Sequence, residues 1–268
     1  MTLPYSQYPF ERALKGIKSA GYDFVAWGTT HPDSAGKRVP LLDWRAPVSQ
    51  ARDLARISRD HGLEPVMMFT MVNLEAPEAP DAHARRITQA AEARIPFVLT
   101  FGKTERGLYE NAIRTLKHAG PLARQAKLTV VIKQHGGNTA TGSDCSRIIA
   151  DVADEGVKMC YDAGNVLDYE NNDPIPDIQK CWRDVRAFAI KDHRNWPTDT
   201  DCGPGFGEID HYKLLSPVLN TGLAMPLAFE NIFEPMVPRP TTAEGVDALA
   251  RRSREYVDSV IRGLRKGA

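Results

Sequence analysis

A chain of 268 residues with 42% hydrophobic and 25% charged residues has the composition of an ordinary soluble globular protein of one large domain or two small ones. Its 34 lysine and arginine residues balance 34 aspartate and glutamate residues, which argues against binding to nucleic acid or to a membrane surface through bulk charge. No stretch approaches the ~18 apolar residues of a transmembrane helix, so no membrane association is expected.

The cysteines and the N-terminal residues predict a cytoplasmic location. Four cysteines, Cys145, Cys160, Cys181 and Cys202, are scattered without CxxC spacing, which favours reduced thiols. The first residues, MTLPYSQYPFERAL, have neither the basic start nor the apolar centre of a secretory signal. A secreted protein whose signal has been removed would show the same pattern, so this alternative stays open.

Amphipathic helical segments alternate with short apolar segments along the chain. Predicted helices, with apolar residues spaced three and four apart, lie at residues 10–20, 48–61, 82–94, 107–126, 143–155, 176–184, 211–221 and 242–266. Nearly continuous apolar runs, typical of buried parallel strands, lie within residues 23–28, 64–71, 96–102, 128–137, 157–165, 185–193 and 225–233. An eighth strand before the first helix has only MTLPY available, so we expect it to be short or truncated.

This alternation predicts an α/β fold, a (β/α)8 TIM barrel that forms a single domain over residues 1–268. The rival is a doubly wound open sheet. No glycine-rich fingerprint follows the first apolar run and no P-loop occurs, which disfavours this rival and also a nucleotide cofactor.

Polar residues end all seven apolar runs, and the active site of such a barrel lies at the carboxyl ends of its strands. These strand-end residues are Trp27, His31, Thr70, Gly102, Lys103, Lys133, His135, Asp162, Asn165, Lys191, Asp192, His193, Glu230 and Asn231. Any one of them alone would be an ordinary strand-end residue bonded to a loop. Together they predict a polar pocket for a polyhydroxylated small molecule.

Asp162 and Glu230 are the strongest individual candidates for catalysis. Each follows an apolar strand, where a carboxylate must be paired or must bind a cation. The structural alternative is a buried ion pair with Lys133 or Lys191. The glycine-rich segment 201–210 is expected to be a lid in which Glu208 or Asp210 caps the next helix.

The order of the strand endings resembles the sugar phosphate isomerase/epimerase superfamily, the xylose isomerase-like TIM barrels. The resemblance covers nearly the whole chain and is carried by AGYDFVAWG, HGG, YDAGN, IKDH, GFGEID and LAFEN in that order. It implies a divalent cation held by Glu, Asp, His and a second Glu from the last four barrel strands. It also implies that two acids abstract and return a proton through a cis-enediolate intermediate.

The chain departs from this family pattern at the metal positions. Asp162 and Glu230 match, but Lys133 stands in place of the metal-binding Glu of the fifth strand, Ala189 in place of the His and Asn165 in place of a further His. One reading is a shifted site in which Asp162, Glu230, His135 and His193 bind Mn²⁺, Mg²⁺, Co²⁺ or Zn²⁺. The other reading has no metal. Lys133 then holds the substrate oxyanion, and Glu230 or Asp162 acts as the base. A third role for Lys133, as a Schiff-base nucleophile, is opposed by its acidic neighbours.

The resemblance implies an isomerase or epimerase of carbohydrate metabolism that acts on a ketose, keto-sugar or related polyol. Catalysis is assigned to Glu230, Asp162 and Lys133, and substrate binding to His135, Asn165, Lys191, Trp27, His31 and Glu208. Two alternatives stay open, namely a lyase or hydrolase-like enzyme performing β-elimination on a 3-keto-glycoside and a non-catalytic sugar-binding paralogue. The expected partners are a small-molecule sugar and, in a homo-oligomer, copies of the same chain; no nucleic acid or membrane partner is expected.

Overall fold

The computed structural model describes residues 1–219 and 221–266, which form a parallel barrel surrounded by helices. In chain order its strands are β1 (Phe24–Trp27), β2 (Thr30–Pro32), β3 (Arg38–Pro40), β4 (Glu64–Phe69), β5 (Phe97–Phe101), β6 (Thr129–Lys133), β7 (Val157–Tyr161), β8 (Val185–Ile190), β9 (Asp192–Arg194), β10 (Thr200–Cys202) and β11 (Leu227–Phe229). Seven of them form the barrel wall in the order β1-β4-β5-β6-β7-β8-β11, and every pair in it is parallel. The remaining four form the antiparallel pairs β2–β3 and β9–β10.

The helices alternate with the barrel strands. They are α1 (Phe10–Ser19), α2 (Val48–Asp60), α3 (Ala79–Ala93), α4 (Tyr109–Gln125), α5 (Gly142–Val152), α6 (Ala163–Glu170), α7 (Pro174–Cys181), α8 (His211–Leu219) and α9 (Ala243–Lys266). The predicted TIM barrel is therefore confirmed. The predicted helix 211–221 includes Asn220 and the predicted domain includes Gly267 and Ala268, and these three residues lie outside the described ones. No helix in the described ranges has the length and apolar content needed to cross a membrane.

In place of an eighth strand, Met1 and Thr2 bridge the seam between β11 and β1. The Met1 amino group donates to Phe229 O at 3.2 Å, and the Thr2 amide donates to Ala26 O at 2.9 Å. A 3-10 helix over Leu3–Tyr5 follows at once. The first strand, expected in MTLPY, is thus reduced to these two residues.

Side chains on each barrel strand alternate between the barrel interior and the helix layer, as the pleat requires. The interior is filled by Met1, Ala26, Met67, Phe69, Leu99, Val131, Cys160, Ala187, Ala189 and Ala228. Two positions further along the chain from Val131, Cys160, Ala189 and Ala228 are, respectively, Lys133, Asp162, Lys191 and Glu230. The same alternation that packs the core therefore points four charged side chains into the mouth of the barrel.

A buried histidine in the helix layer makes the stability of the barrel depend on pH. His83 on α3 is fully buried, with Nδ1 2.7 Å from Ala79 O and Nε2 2.7 Å from Thr100 Oγ1, and burial lowers its pKa from 6.5 to about 4. A base whose pKa is lower in the folded state stabilises the fold above the unfolded pKa, and this contribution is lost as the pH falls.

We expect His83 to remove about 3 kcal/mol from the free energy of unfolding as the pH falls from about 6.5 to about 4. Urea unfolding at several pH values measures this slope. In His83→Gln the slope over this window is expected to decrease, because glutamine does not titrate. An unchanged slope in the variant would show that His83 is not its source.

Candidate active site

A lysine lies between two carboxylates at the mouth of the barrel. Lys133 Nζ donates to Asp162 Oδ2 at 2.9 Å and to Glu230 Oε2 and Oε1 at 2.7 and 2.8 Å. The side chains of Lys133 and Asp162 are 4% and 0% exposed, whereas that of Glu230 is 16% exposed. Lys133, Asp162 and Glu230, hereafter the lysine triad, come from the ends of β6, β7 and β11. Glu230 is the member that solvent or a substrate reaches most easily.

Lys133 and Asp162 each favour the charged form of the other because they lie close together. Burial alone lowers the pKa of Lys133, but the charges of Asp162 and Glu230 and their hydrogen bonds together raise it above its usual value. Burial alone raises the pKa of Asp162, but Lys133 and Lys191 outweigh it and lower that pKa. Lys133 is therefore an ammonium ion at neutral pH, which disfavours the Schiff-base role.

Both carboxylate oxygens of Asp162 are occupied by the protein. Oδ2 accepts from Lys133, while Oδ1 accepts from the Asn165 amide at 3.0 Å and caps α6. The Asp162 amide donates to Gln134 Oε1 at 2.8 Å. These contacts fix the carboxylate in one orientation and leave no free oxygen for a substrate.

Asn165, predicted to bind substrate, makes contacts within the protein, and the predicted substrate contact stays a prediction. Its side-chain amide donates to Gln134 O at 2.6 Å, and the residue is only 3% exposed. It lies in the first turn of α6, a helix that the sequence reading had merged into the strand ending at Tyr161. Asn165 therefore positions Asp162 and the end of β6.

A second ammonium lies beside the lysine triad. Lys191 directly follows β8, is 4% exposed and pairs with Asp201 of β10. Burial alone lowers the pKa of Lys191, but Asp162, Glu230 and Asp201 together raise it. These two ammonium groups are thus paired with the carboxylates of Asp162, Glu230 and Asp201.

Aromatic rings form one wall of the mouth. Ring centroids are 6.4 Å apart for Phe69 and Phe101, 4.6 Å for Phe101 and His135, and 5.4 Å for His135 and Tyr169. The series runs from the barrel interior to Tyr169, which is 41% exposed. Burial lowers the pKa of His135, whose Nδ1 lies 3.0 Å from Gly102 O, so the ring is neutral and its Nε2 is the acceptor. This wall offers an apolar face opposite a charged one.

Three residues assigned to substrate binding make contacts within the protein. Trp27 faces the helix layer, where Nε1 donates to Ser58 Oγ at 3.1 Å, because Ala26 takes the interior position on β1. His31 is 3% exposed and its ring nitrogens lie 2.8 Å from Tyr8 O and 3.0 Å from Thr2 Oγ1. The assignments of Trp27 and His31 to substrate binding are corrected accordingly. Glu208 Oε1 accepts from the amides of residues 195 and 196 at 2.9 and 3.2 Å, but the residue is exposed, so its assignment stays a prediction.

The loop that contains Glu208 is anchored by a buried carboxylate. Asp192 is fully buried and accepts from the amides of Gly205 and Ile209, each at 3.0 Å. Asp210, the alternative candidate, accepts from the Lys213 amide at 3.0 Å at the start of α8. Asp210 rather than Glu208 therefore caps the helix.

Glu75 is a buried acid of the mouth that sequence reasoning missed. It is fully buried, and its carboxylate accepts from the Lys103 amide at 2.9 Å and from Asn138 Nδ2 at 3.0 Å. It connects the loops after β5 and β6. Its only sequence signal is an acid in the loop after β4, which does not distinguish it from its exposed neighbour Glu78.

The four predicted metal ligands do not form one group. Within residues 1–219 and 221–266, one set of three acidic, histidine or cysteine residues places its ligand atoms within 4.8 Å of one another, and it consists of Asp168, His193 and Asp201. Asp162 and Glu230 contact Lys133 instead, and His135 contacts Gly102. The prediction that Asp162, Glu230, His135 and His193 bind one metal ion is therefore corrected. The pairing of β9 with β10 places His193 beside Asp201 instead.

A cavity of about 460 Å³ lies away from the lysine triad. Phe24, Val66, Phe97 and Leu227, at the amino ends of their strands, line it together with Ile261 of α9. It contains none of the charged residues at the carboxyl ends. In a TIM barrel the chemistry belongs to the carboxyl ends of the strands, so this cavity does not mark the active site.

Comparison with known proteins agrees with this architecture. Residues 14–252 match the protein family described as xylose isomerase-like TIM barrel. The chain belongs to this family. Its parallel barrel with alternating helices is the fold that the family description names. Among curated proteins, none matches the chain.

Solved structures with the same fold are distant in sequence. A xylose isomerase-like TIM barrel protein from Mycobacterium smegmatis in complex with magnesium is 16% identical, with 95% of this chain and 89% of that chain covered and a TM-score of 0.72. An L-ribulose 3-epimerase is 16% identical, with 96% and 90% covered and a TM-score of 0.71. A protein described as "the probable 3-DHS dehydratase" from Bacillus anthracis is 12% identical, with 96% of each chain covered and a TM-score of 0.68. At these identities the likeness shows the fold.

The residues of the lysine triad do not fit the divalent cation that the family resemblance implies. Lys133 Nζ takes the point on which Asp162 and Glu230 converge, within 2.9 Å of both carboxylates. Ala189, at the position of the expected histidine, faces the interior with no donor atom. Within the lysine triad, the ammonium of Lys133 supplies the positive charge that a metal ion supplies in the family pattern.

Proposed function

We propose that this protein is a sugar isomerase or epimerase that removes a proton from the carbon next to the carbonyl of a ketose, keto-sugar or related polyol. The observation that carries the proposal is the lysine triad, in which an ammonium and an accessible carboxylate meet at the carboxyl ends of the strands. Removal of this proton leaves an enediolate whose negative charge builds up on the former carbonyl oxygen. Such a reaction needs a base and a positive group side by side.

Lys133 supplies the positive group. A buried ammonium stabilises a developing oxyanion more strongly than one in water, because the surrounding dielectric is low. Its Nζ lies within hydrogen-bond distance of three carboxylate oxygens, two of them on Glu230. A substrate oxygen that replaces one Glu230 contact would gain the ammonium as a donor and free a Glu230 oxygen.

Glu230 is the base in this proposal. Asp162 is fully buried and both of its oxygens are bound, so it cannot reach a substrate carbon without breaking the cap of α6. Glu230 is 16% exposed and lies at the end of β11. The aromatic wall of Phe101, His135 and Tyr169 supports a sugar substrate, since its apolar surface suits the carbon–hydrogen face of a sugar.

A lyase reaction on a 3-keto-glycoside is the second candidate, and Lys191 favours it. Elimination begins with the same proton abstraction but also places negative charge on the departing oxygen. Lys191 is a second ammonium that could stabilise this charge, because Asp162, Glu230 and Asp201 outweigh the effect of burial on its pKa and keep it protonated. The reaction products distinguish the two functions.

Incubation with candidate sugars in deuterium oxide tests the proposal. We expect the wild-type protein to exchange the hydrogen next to the carbonyl of at least one ketose or keto-sugar, as measured by NMR. An epimer or isomer that carries deuterium identifies the first function, and an unsaturated product the second. Absence of exchange and of product across free ketoses, phosphorylated ketoses and 3-keto-glycosides would contradict both and favour a sugar-binding protein.

A further inference from the structure

Asp168, His193 and Asp201 form a second cluster at the mouth, hereafter the hairpin cluster. The three residues come from α6, β9 and β10, and one ligand atom of each lies within 4.8 Å of the other two. His193 Nδ1 is 3.1 Å from Asp201 Oδ1. Two atoms bonded at about 2.1 Å to one divalent cation lie about 3–4 Å apart, and the distance between His193 and Asp201 falls in this range.

Both ring nitrogens of the buried His193 face oxygen acceptors. His193 is 1% exposed; its Nδ1 faces Asp201 Oδ1 at 3.1 Å, and its Nε2 lies 3.2 Å from Asn195 Oδ1 and 3.3 Å from Asp199 Oδ1. A neutral imidazole has one ring proton and can donate on one side only. A metal ion bound at Nδ1, with the ring proton on Nε2, would satisfy both sides.

The orientation of Asn195 supports this proton placement. Its side-chain nitrogen donates to Asn171 Oδ1 at 2.9 Å, which leaves its oxygen facing His193. A ligating histidine whose second nitrogen donates to an amide or carboxylate oxygen is the usual arrangement around bound metals. Asn195 and Asp199 would fill that role here.

The two carboxylates of the cluster lie close together and carry like charges. Lys191 neutralises Asp201 from the side of Oδ2, away from the oxygen that faces His193. A cation bound by Asp168, His193 and Asp201 would relieve the remaining repulsion.

We propose that the hairpin cluster is a divalent cation site, with Asp168, His193 Nδ1 and Asp201 Oδ1 as its protein ligands. One imidazole and two carboxylates suit Mn²⁺, Co²⁺ or Zn²⁺. The site is separate from the lysine triad and does not depend on the proposed reaction. It takes no part in proton abstraction.

The position of the hairpin cluster gives the ion a structural role. Helix α6 begins at its cap Asp162 and carries Asp168 in its last turn. Asp201 holds the ammonium of Lys191. An ion bound here joins α6 to the β9–β10 pair and thereby fixes both Asp162 and Lys191.

Metal titration of chelator-treated protein tests the proposal. We expect the wild type to bind one equivalent of Mn²⁺, measured by loss of the free-ion signal in electron paramagnetic resonance, and one equivalent of Zn²⁺ by calorimetry. Asp168→Asn is expected to weaken both affinities at least about 10-fold, and His193→Asn to weaken them further. Asp168 is exposed, so its variant folds even if the His193 variant does not.

Glu170→Gln is the matched control, because Glu170 is an exposed acid on the same helix outside the cluster. It should bind both ions as the wild type does. No stoichiometric binding by the wild type would overturn the proposal. Equal affinity in Asp168→Asn and Glu170→Gln would overturn it as well, since the bound ion would then lie elsewhere.

Discussion

Replacing Lys133 by methionine is expected to abolish exchange of the substrate hydrogen while leaving the barrel folded. Methionine keeps the length of the side chain but removes the ammonium that balances Asp162 and Glu230. Loss of one partner from a buried ion pair costs about 3–5 kcal/mol, because the remaining charge is left uncompensated. A domain with about 5–15 kcal/mol of stability tolerates this loss, although with a reduced margin. Exchange rates and urea unfolding measure the two effects separately.

The pH dependence of this variant distinguishes a charge effect from lost packing. In the wild type the pKa of Asp162 is lowered, so its stabilising contribution is complete above the unfolded value of about 4 and is lost only below it. Without Lys133 the fully buried carboxylate favours its neutral form, and the stability of the variant should rise as the pH falls from 8 towards 5. Equal pH slopes in wild type and variant would contradict the role of the ammonium.

Lys158→Met is the matched control for Lys133→Met. Lys158 lies on the neighbouring strand β7 and pairs with the exposed Glu155 at 2.7 Å, outside the site. We expect wild-type exchange and a stability change below about 1 kcal/mol, since exposed ion pairs contribute little. Comparable loss of exchange in both variants would mean that Lys133 has no special role.

Strand periodicity carried most of the prediction of the fold and of the lysine triad. Seven apolar runs are sufficient to predict the barrel, and its geometry places Lys133, Asp162 and Glu230 at one mouth. The error at Trp27 was avoidable, because strict alternation assigns Ala26 to the interior and Trp27 to the helix layer. The prediction for Trp27 considered only its place at the end of the strand and not the side of the strand that its side chain faces.

Contacts formed by loops could not be read from the sequence. His193 and Asp201 meet because β9 and β10, between β8 and α8, pair as antiparallel strands. The sequence between them contains no short turn motif that would predict this pair. Asp168 joins them through α6, whose eight residues begin directly after Asp162 at the end of β7. Pairing between loop residues depends on the surrounding barrel, so residue periodicity does not reveal it.

Glu230→Gln and Asp162→Asn are expected to separate the base from the residue that positions Lys133. Glutamine cannot accept the substrate proton, so Glu230→Gln should reduce the turnover number and the exchange rate about 10²- to 10⁴-fold. Its effect on stability should be small, because Lys133 keeps Asp162 as a partner and Glu230 is partly exposed.

Asp162→Asn should lower the stability more than Glu230→Gln does and the exchange rate less. Asparagine can still cap α6, so exchange is retained at a reduced rate, but Lys133 loses a fully buried counter-charge and the stability falls more than in Glu230→Gln. Glu234→Gln, an exposed acid on the same loop as Glu230, serves as the control with wild-type exchange. Retained exchange in Glu230→Gln together with complete loss in Asp162→Asn would assign the base to Asp162 instead. The buried Asp162 would then be the base, and the more exposed Glu230 would be the residue that positions Lys133, the reverse of what their exposure predicts.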